Sequence, residues 1–379
     1  MSSVIKLLYA PVSGGYFYVS ERSIVFKSEE SEENIVCYTV SEEKKLSGVA
    51  AVASDECLFA ACDTEKNLYM FSIDSSKAFT PISVPMNLAK TATGLCFTDF
   101  PSKNAILVAD KFGDVLRFEQ GSDFDRWARE SQKNSKALSI HTHKKRSFAD
   151  SEKEQDKTEE ESSQGSEAHH CTIIGHISMI TDVAVLPVEG SQGGLIVTCD
   201  RDEKVRFTLA STPERIHSFG LAHRQYVGSL AVCAANRSVF SAGGDAFVCE
   251  WRLNGDSIKD QMILASKIDL PHDNAQEVQV SGCGNLVAVW FLGKEICVFA
   301  RFSADDEWKL ETTREASKVT AMCFARGNLQ VCEAEEADNL EELFAAIGKS
   351  KLRKDIERMD WKLKRHANQK TPDDNEEDQ

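Results

Sequence analysis

The sequence predicts an all-β fold, a seven-bladed β-propeller that carries a disordered insertion and ends in a C-terminal helix. Three observations predict it. Short apolar-alternating runs follow one another, separated by Gly, Asp and Asn turns, and helical spacing is absent before residue 336. The runs group into repeating units: Asp202 and Asp245 stand 43 residues apart at turn positions, and His176 and His223 stand 47 apart ahead of the first strand of their units. A period of about 40–45 residues holding four strands is that of a propeller blade.

Taken in order, Tyr16–Val19 and Ser23–Phe26 open the series. Val49–Ala53, Cys57–Cys62 and Leu68–Ile73 follow, with Asp63–Asn67 as a turn. Then come Gly94–Thr98, Ala105–Ala109 and Asp114–Phe118 around the turn Lys111-Phe112-Gly113. Beyond a gap lie Ile180–Leu186, Leu195–Cys199 and Val205–Leu209, then Val227–Cys233, Ser238–Ala242 and Phe247–Trp251. Glu277–Ser281, Leu286–Phe291 and Glu295–Arg301 make a further unit, and Val319–Ala325 with Leu329–Glu333 complete the strands. Six units are evident. The last strands are expected to join an N-terminal strand as a seventh, because ring closure removes free sheet edges. The propeller is thus assigned to residues 1–335.

Gly113 is read as equivalent to Asp202, yet the two are 89 apart, about one blade too many. The surplus lies in residues 122–170, where periodicity vanishes. Asp150 to Glu167 holds eight acids against two lysines, the composition of a disordered insertion looping out between two blades. His141-Thr142-His143-Lys144-Lys145-Arg146 within it is a basic patch, readable as an import signal or as ordinary solvated charge. Residues 336–379 differ again. Leu340, Leu343, Phe344 and Ile347, then Leu352, Ile356, Met359 and Leu363, follow helical spacing, and Lys349, Lys351, Arg353, Lys354 and Arg358 lie among them. A basic amphipathic helix in a chain of net charge −16 suits a polyanion, so these five cations are candidate contacts to one.

Composition excludes several classes. No run of 18 apolar residues exists to span a membrane, and Met1 to Ala10 lacks the charged-then-apolar layout of a signal peptide. None of the 12 Cys forms a Cys-x-x-Cys pair, and Cys96, Cys199, Cys233, Cys249, Cys297 and Cys323 fall in apolar runs. Buried thiols in a reducing compartment, the nucleus or the cytoplasm, explain them. No nucleotide-binding glycine loop, nucleophile elbow or His-Glu-x-x-His is present, so neither catalytic residues nor a metal site nor a cofactor cradle is expected.

The densest charge lies in the hairpin turn Thr198–Phe207, which carries Asp200, Arg201, Asp202, Glu203, Lys204 and Arg206 where a turn needs one Asp or Asn. Taken alone it is a solvated turn, since most surface charge contributes little. His176, Asp202, His223, Asp245 and Trp251 are read as structural blade staples, a His and an Asp sharing a hydrogen bond that fixes each turn.

Four segments in this order, Val108-Ala109-Asp110-Lys111-Phe112-Gly113-Asp114-Val115, Ile174-Gly175-His176-Ile177-Ser178-Met179-Ile180-Thr181-Asp182-Val183-Ala184, Asp200-Arg201-Asp202-Glu203-Lys204-Val205-Arg206 and His223-Arg224-Gln225-Tyr226-Val227, resemble the WD-repeat, non-catalytic subunit of the eukaryotic tRNA (guanine-N(7)-)-methyltransferase. The similarity is good over roughly residues 50–255. Thr208, where a repeat often has Trp, and Gly113, in place of a turn Asp, depart from the repeat pattern. The resemblance implies a non-enzymatic scaffold. A separate catalytic subunit binds S-adenosylmethionine and methylates a guanine in the tRNA variable loop, and the propeller holds that subunit in a heterodimer, in the nucleus. It also gives the charged turn a use: Arg206, Lys204, Arg201 and Glu203, with Lys111, Ser178 and Met179 beside them, become the expected partner contacts. The alternative is a WD-repeat adaptor or substrate receptor in another complex, such as a ubiquitin ligase, which has no need of the Asp-Arg-Asp-Glu-Lys turn.

Overall fold

A computed structural model of the chain describes residues 4–31, 33–119, 171–255, 257–303 and 306–334. The expected insertion and the expected C-terminal helix, with Lys349, Lys351, Arg353, Lys354 and Arg358, lie outside the described residues.

Seven antiparallel sheets follow one another along the chain. The first holds β1 (Val4–Ala10), β2 (Gly15–Ser20), β3 (Ser23–Ser28) and β4 (Asn34–Thr39). The second holds β5 (Leu46–Val52), β6 (Leu58–Asp63), β7 (Asn67–Ile73) and β8 (Phe79–Pro81), with β9 (Met86–Asn87) also paired to β7. The third is β10 (Ala92–Thr98), β11 (Ala105–Asp110), β12 (Asp114–Phe118) and β13 (Cys171–Gly175). The fourth is β14 (Ile180–Leu186), β15 (Leu195–Asp200), β16 (Val205–Leu209) and β17 (Ile216–Gly220). The fifth is β18 (Val227–Cys233), β19 (Ser238–Gly243), β20 (Phe247–Leu253) and β21 (Met262–Asp269). The sixth is β22 (Glu277–Val280), β23 (Leu286–Trp290), β24 (Glu295–Ala300) and β25 (Lys309–Glu315). The seventh, within the described residues, is the hairpin β26 (Val319–Ala325) and β27 (Asn328–Glu333).

The first strands of the sheets, β1, β5, β10, β14, β18, β22 and β26, succeed one another around a common axis, and β26 packs against β1 to close the ring. The core lies between the faces of neighbouring sheets. Leu107 and Ala109 of β11 meet Ile180 and Val183 of β14, and Val197 and Phe207 of the fourth sheet meet Val227 and Trp251 of the fifth. A second strand is therefore covered on both faces, and β6, β11, β15 and β19 are buried along their whole length. Their near-continuous apolar sequences follow from that two-sided burial. Cys199, Cys233, Cys249, Cys297 and Cys323, on strands β15, β18, β20, β24 and β26, are buried free thiols, and Cys96 is half-buried.

The seventh sheet corrects one expectation. Among the described residues no N-terminal strand pairs with it; β1 heads a sheet of its own. The reason is local: Val4–Ala10 is joined to β2 by the short turn Pro11–Gly14, with Ala10 directly opposite Gly15, so the two strands pair as a hairpin.

Polar clasps between sheets lock the ring at its rim. Asp55, after β5, accepts Lys103 Nζ at 2.7 Å and Asn104 Nδ2 at 3.1 Å from the third sheet, and Cys57 N–H at 3.1 Å. Burial alone would push its carboxyl up, but these bonds outweigh burial and hold it down at about 2. Its folded value thus lies below the ordinary aspartate value of about 3.9. The stabilisation is complete above that ordinary value and is lost as the pH falls through the folded one. Urea titrations of wild type and Asp55→Asn should accordingly differ most at pH 6, with the gap closing between about pH 4 and pH 2. A pH-independent gap would rule out an ionic clasp.

Candidate partner-binding face

Because each sheet is antiparallel from first strand to last, the turn between its second and third strands and the loop entering the next sheet lie at the same end of the ring. Three such segments are sewn together there: the turn Asp110–Asp114, the loop Gly175–Met179 and the turn Asp200–Arg206. His176 N–H donates to Gly113 O at 2.7 Å, and Arg201 N–H donates to Met179 O at 3.0 Å.

An aspartate ends the second strands β6, β11 and β15 and builds the turns that follow them. Asp63 Oδ1 accepts the N–H groups of Glu65 and Asn67 at 2.9 and 2.8 Å. Asp110 Oδ1 does the same for Phe112 and Asp114 at 2.7 and 3.2 Å, and Asp200 Oδ1 for Asp202 and Lys204 at 2.9 and 3.1 Å. The third residue after each aspartate is left-handed: Lys66 at φ 72°, Gly113 at φ 102° and Glu203 at φ 75°. Gly113 therefore corresponds to Glu203 and not to Asp202, and it does not stand in for a turn aspartate. It has to be glycine, since a Cβ would sit 2.5 Å from His176 O and 2.6 Å from Ser178 O. The same position in the next sheet faces open solvent, and Glu203 is exposed there.

The staples behind these turns are hydrogen-bonded chains. In the fifth sheet Trp251 Nε1–H donates to Ser241 Oγ at 2.8 Å. Ser241 Oγ lies 2.8 Å from His223 Nε2, and His223 Nδ1 lies 2.9 Å from Asp245 Oδ2. With the serine oxygen already accepting from indole, its proton goes to Nε2, which leaves the imidazole proton on Nδ1 for the carboxylate. Burial would raise Asp245, but the bond from His223 and the backbone donors Arg224 and Gln225 hold it below the usual carboxylate range. In the fourth sheet His176 Nδ1 lies 3.0 Å from Asp200 Oδ2, and Nε2 lies 2.9 Å from Thr198 Oγ1. Asp200, not Asp202, holds His176. Asp200 closes the buried end of β15, whereas the Asp202 side chain is 48 % exposed in the turn and stands 3.5 Å from Arg201 Nε.

The fourth sheet has Thr208 where the fifth has Trp251, and the exchange positions Arg206. Arg206 Nε donates to Thr208 Oγ1 at 3.2 Å, and its Nη1 donates to the Gly175 carbonyl at 3.1 Å. Both acceptors are neutral. Among the described residues no carboxylate pairs with this guanidinium, which is half-buried, and burial lowers its pKa from the usual arginine range. Around it Lys204 is exposed, with Nζ 3.5 Å from Asp202 O, and Arg201 is half-buried. Lys111 is exposed beside Phe112, whose ring also lies under Lys90 Nζ at 4.1 Å. Met179 is half-buried, but Ser178 is 5 % exposed and its hydroxyl is covered, so it meets this surface through its backbone only. Asp200, Thr198, Ser241 and the anchoring role of Thr208 escaped the sequence reading. The aspartates that also end the buried strands β6 and β11 were the available signal for Asp200.

Among the described residues no group of three His, Cys, Asp or Glu side chains could hold a metal ion. The family model described as "tRNA methyltransferase TRM82 WD40 domain" matches residues 19–364. The chain belongs to that family. The TRM82 WD40 relatives are similar at modest identity. The "tRNA (guanine-N(7)-)-methyltransferase non-catalytic subunit trm82" of Aspergillus clavatus is 26 % identical over 289 residues, 71 % of this chain and 57 % of that protein. The "tRNA (guanine-N(7)-)-methyltransferase non-catalytic subunit WDR4" of Homo sapiens is 29 % identical over 196 residues, 51 % of this chain and 34 % of that protein. The chain thus spans about half the length, or less, of these curated relatives. Among solved structures a chain from "Crystal Structure of Mitotic Checkpoint Complex" superposes with a TM-score of 0.58 at 11 % identity, covering 88 % of this chain and 87 % of that one. That likeness shows the propeller fold alone.

Proposed function

We propose that this chain is the non-catalytic subunit of a tRNA (guanine-N(7)-)-methyltransferase. It binds a separate catalytic subunit and holds it in a shape competent to form N(7)-methylguanosine in the tRNA variable loop. S-adenosylmethionine belongs to the catalytic partner, tRNA is engaged through the complex, and the heterodimer works in the nucleus. The printed names of the relatives support this reading, and one observation carries it: a half-buried arginine, fixed by neutral oxygens, with no carboxylate partner among the described residues. Half-buried charge without a counter-ion is costly, and an acidic side chain from another protein removes that cost. Lys204, Arg201 and Glu203 share the turn with Arg206, and Met179 and Lys111 lie in segments hydrogen-bonded to that turn or to the loop that holds Arg206, so the contact geometry is set before the partner arrives.

The decisive experiment is guanine-N(7) methylation of tRNA by the catalytic subunit with and without this chain. Methyl transfer should require the pair, and neither protein alone should sustain it. Equal transfer without this chain would refute the scaffold role, and transfer by this chain alone would refute the assignment as non-catalytic.

A further inference from the structure

Arg206 does not stand among charges only. In the ladder between β16 and β17 it lies directly opposite Phe219, whose side is 44 % exposed. Two residues beyond Phe219, in the loop entering β18, Leu221 is 71 % exposed. On the other side, the Gly175 carbonyl that holds Arg206 Nη1 is two residues before Ile177, which is 95 % exposed. Arg206 thus has Phe219 opposite it in the ladder, with an exposed aliphatic residue two positions beyond that partner and another two positions beyond its carbonyl acceptor. A single exposed apolar side chain needs no explanation, but a cluster beside an uncompensated cation at a loop end does.

We propose that Ile177, Phe219 and Leu221 are the apolar part of the partner-docking surface, and that their occupant is a segment of the catalytic subunit bearing a carboxylate flanked by apolar side chains. This rests on the proposed function above and specifies what the partner must present. Continuity with the charged turn and charge complementarity at Arg206 identify the occupant. The apolar ring keeps water from the ion pair, which is the arrangement that gives a central charged contact most of its strength. Specificity follows too: an acidic surface lacking the apolar flanks would leave the three side chains in water, and an apolar surface lacking the carboxylate would leave Arg206 unpaired.

The test compares Ile177→Ser, Leu221→Ser and the double variant with wild type for binding of the full chain to the purified catalytic subunit. Phe302→Ser serves as control, since Phe302 is 97 % exposed but follows β24, at the opposite end of the strands. The double variant should weaken binding by about thirtyfold or more, and it should shrink the loss caused by Arg206→Ala, because the two groups share one desolvated patch. Phe302→Ser should bind as wild type does. Far-ultraviolet circular dichroism and thermal melts should match wild type for all three exposed-site variants. Wild-type binding with the double variant within threefold of it, or with Phe302→Ser equally impaired, overturns the docking surface. Failure of wild type itself to bind the catalytic subunit overturns the scaffold role instead.

Discussion

Replacing Glu250 with alanine should destabilise the propeller by about 3–5 kcal/mol, the largest stability effect expected of any single charged side chain here. Glu250 lies on β20 with its carboxylate fully buried. Arg301 grips it with two donors, Nη1 to Oε2 at 2.8 Å and Nη2 to Oε1 at 2.9 Å. Arg252 Nη2 adds a bond at 2.9 Å, Ser266 Oγ one at 2.7 Å and Trp308 Nε1 one at 3.2 Å. The guanidinium of Arg301 in turn stacks at 4.2 Å from the Trp308 ring centre. Burial would raise the Glu250 carboxyl, yet these donors hold it below the usual glutamate range. The alanine variant removes the carboxylate that both Arg301 nitrogens grip while the arginine side chain stays 1 % exposed, and breaking that buried ion pair dominates the loss. Changing Glu250 and Arg301 together to methionine should therefore restore much of the stability that either change alone removes. The network joins the fifth sheet to the sixth, so partial unfolding should begin between them. Equilibrium urea denaturation of the four proteins decides: additive losses would mean that the two side chains act separately.

The sequence carries the inner strands plainly and the outer ones hardly at all. Ile180–Leu186, Val205–Leu209, Val227–Cys233 and Val319–Ala325 were legible to the residue, because each is packed between two sheets or alternates cleanly. The fourth strands β4, β17, β21 and β25 went unread. In β25, Lys309–Glu315, every residue is exposed, and the strand is held by its ladder to β24 and by an ion pair from Arg314 to Glu333, so no hydrophobic pattern marks it. β13 is similarly hidden because residues 122–170 separate it from its neighbour in sequence. Within the candidate site the cations Arg201, Lys204 and Arg206 were legible as a cluster, since charge beyond the needs of a turn is visible in any window, whereas Lys111 was reached only through the family resemblance. What held them was not. Asp200 and Asp202 differ by two positions, and only the end of β15 decides which of them is buried. Thr208 looked like a defect in the repeat, whereas its hydroxyl is the acceptor that steadies Arg206.

Arg206→Ala should weaken binding of the catalytic subunit by about 2–5 kcal/mol, roughly 30- to 5,000-fold, while leaving the free propeller at least as stable as wild type. The two halves of this expectation share one cause. In the free chain the guanidinium is half-buried and has neutral partners only, so deleting it removes a desolvated charge at the cost of two modest hydrogen bonds. In the complex the same deletion strands a partner carboxylate that has already left water. Lys204→Ala is the contrasting case. Lys204 is exposed and its Nζ makes one long contact, so its loss should cost less than about 1 kcal/mol and act chiefly on the association rate, with a reduced dependence on salt. Arg206→Ala should instead act on the dissociation rate and be nearly insensitive to salt. Arg206→Lys should recover only part of the affinity, since an ammonium cannot donate to Thr208, to Gly175 and to a carboxylate in one plane. Surface-immobilised catalytic subunit and kinetic titration of the three variants at two ionic strengths separate these outcomes. A loss for Arg206→Ala no greater than that for Lys204→Ala, or one confined to the association rate, would show that the guanidinium steers from the rim and does not anchor the contact.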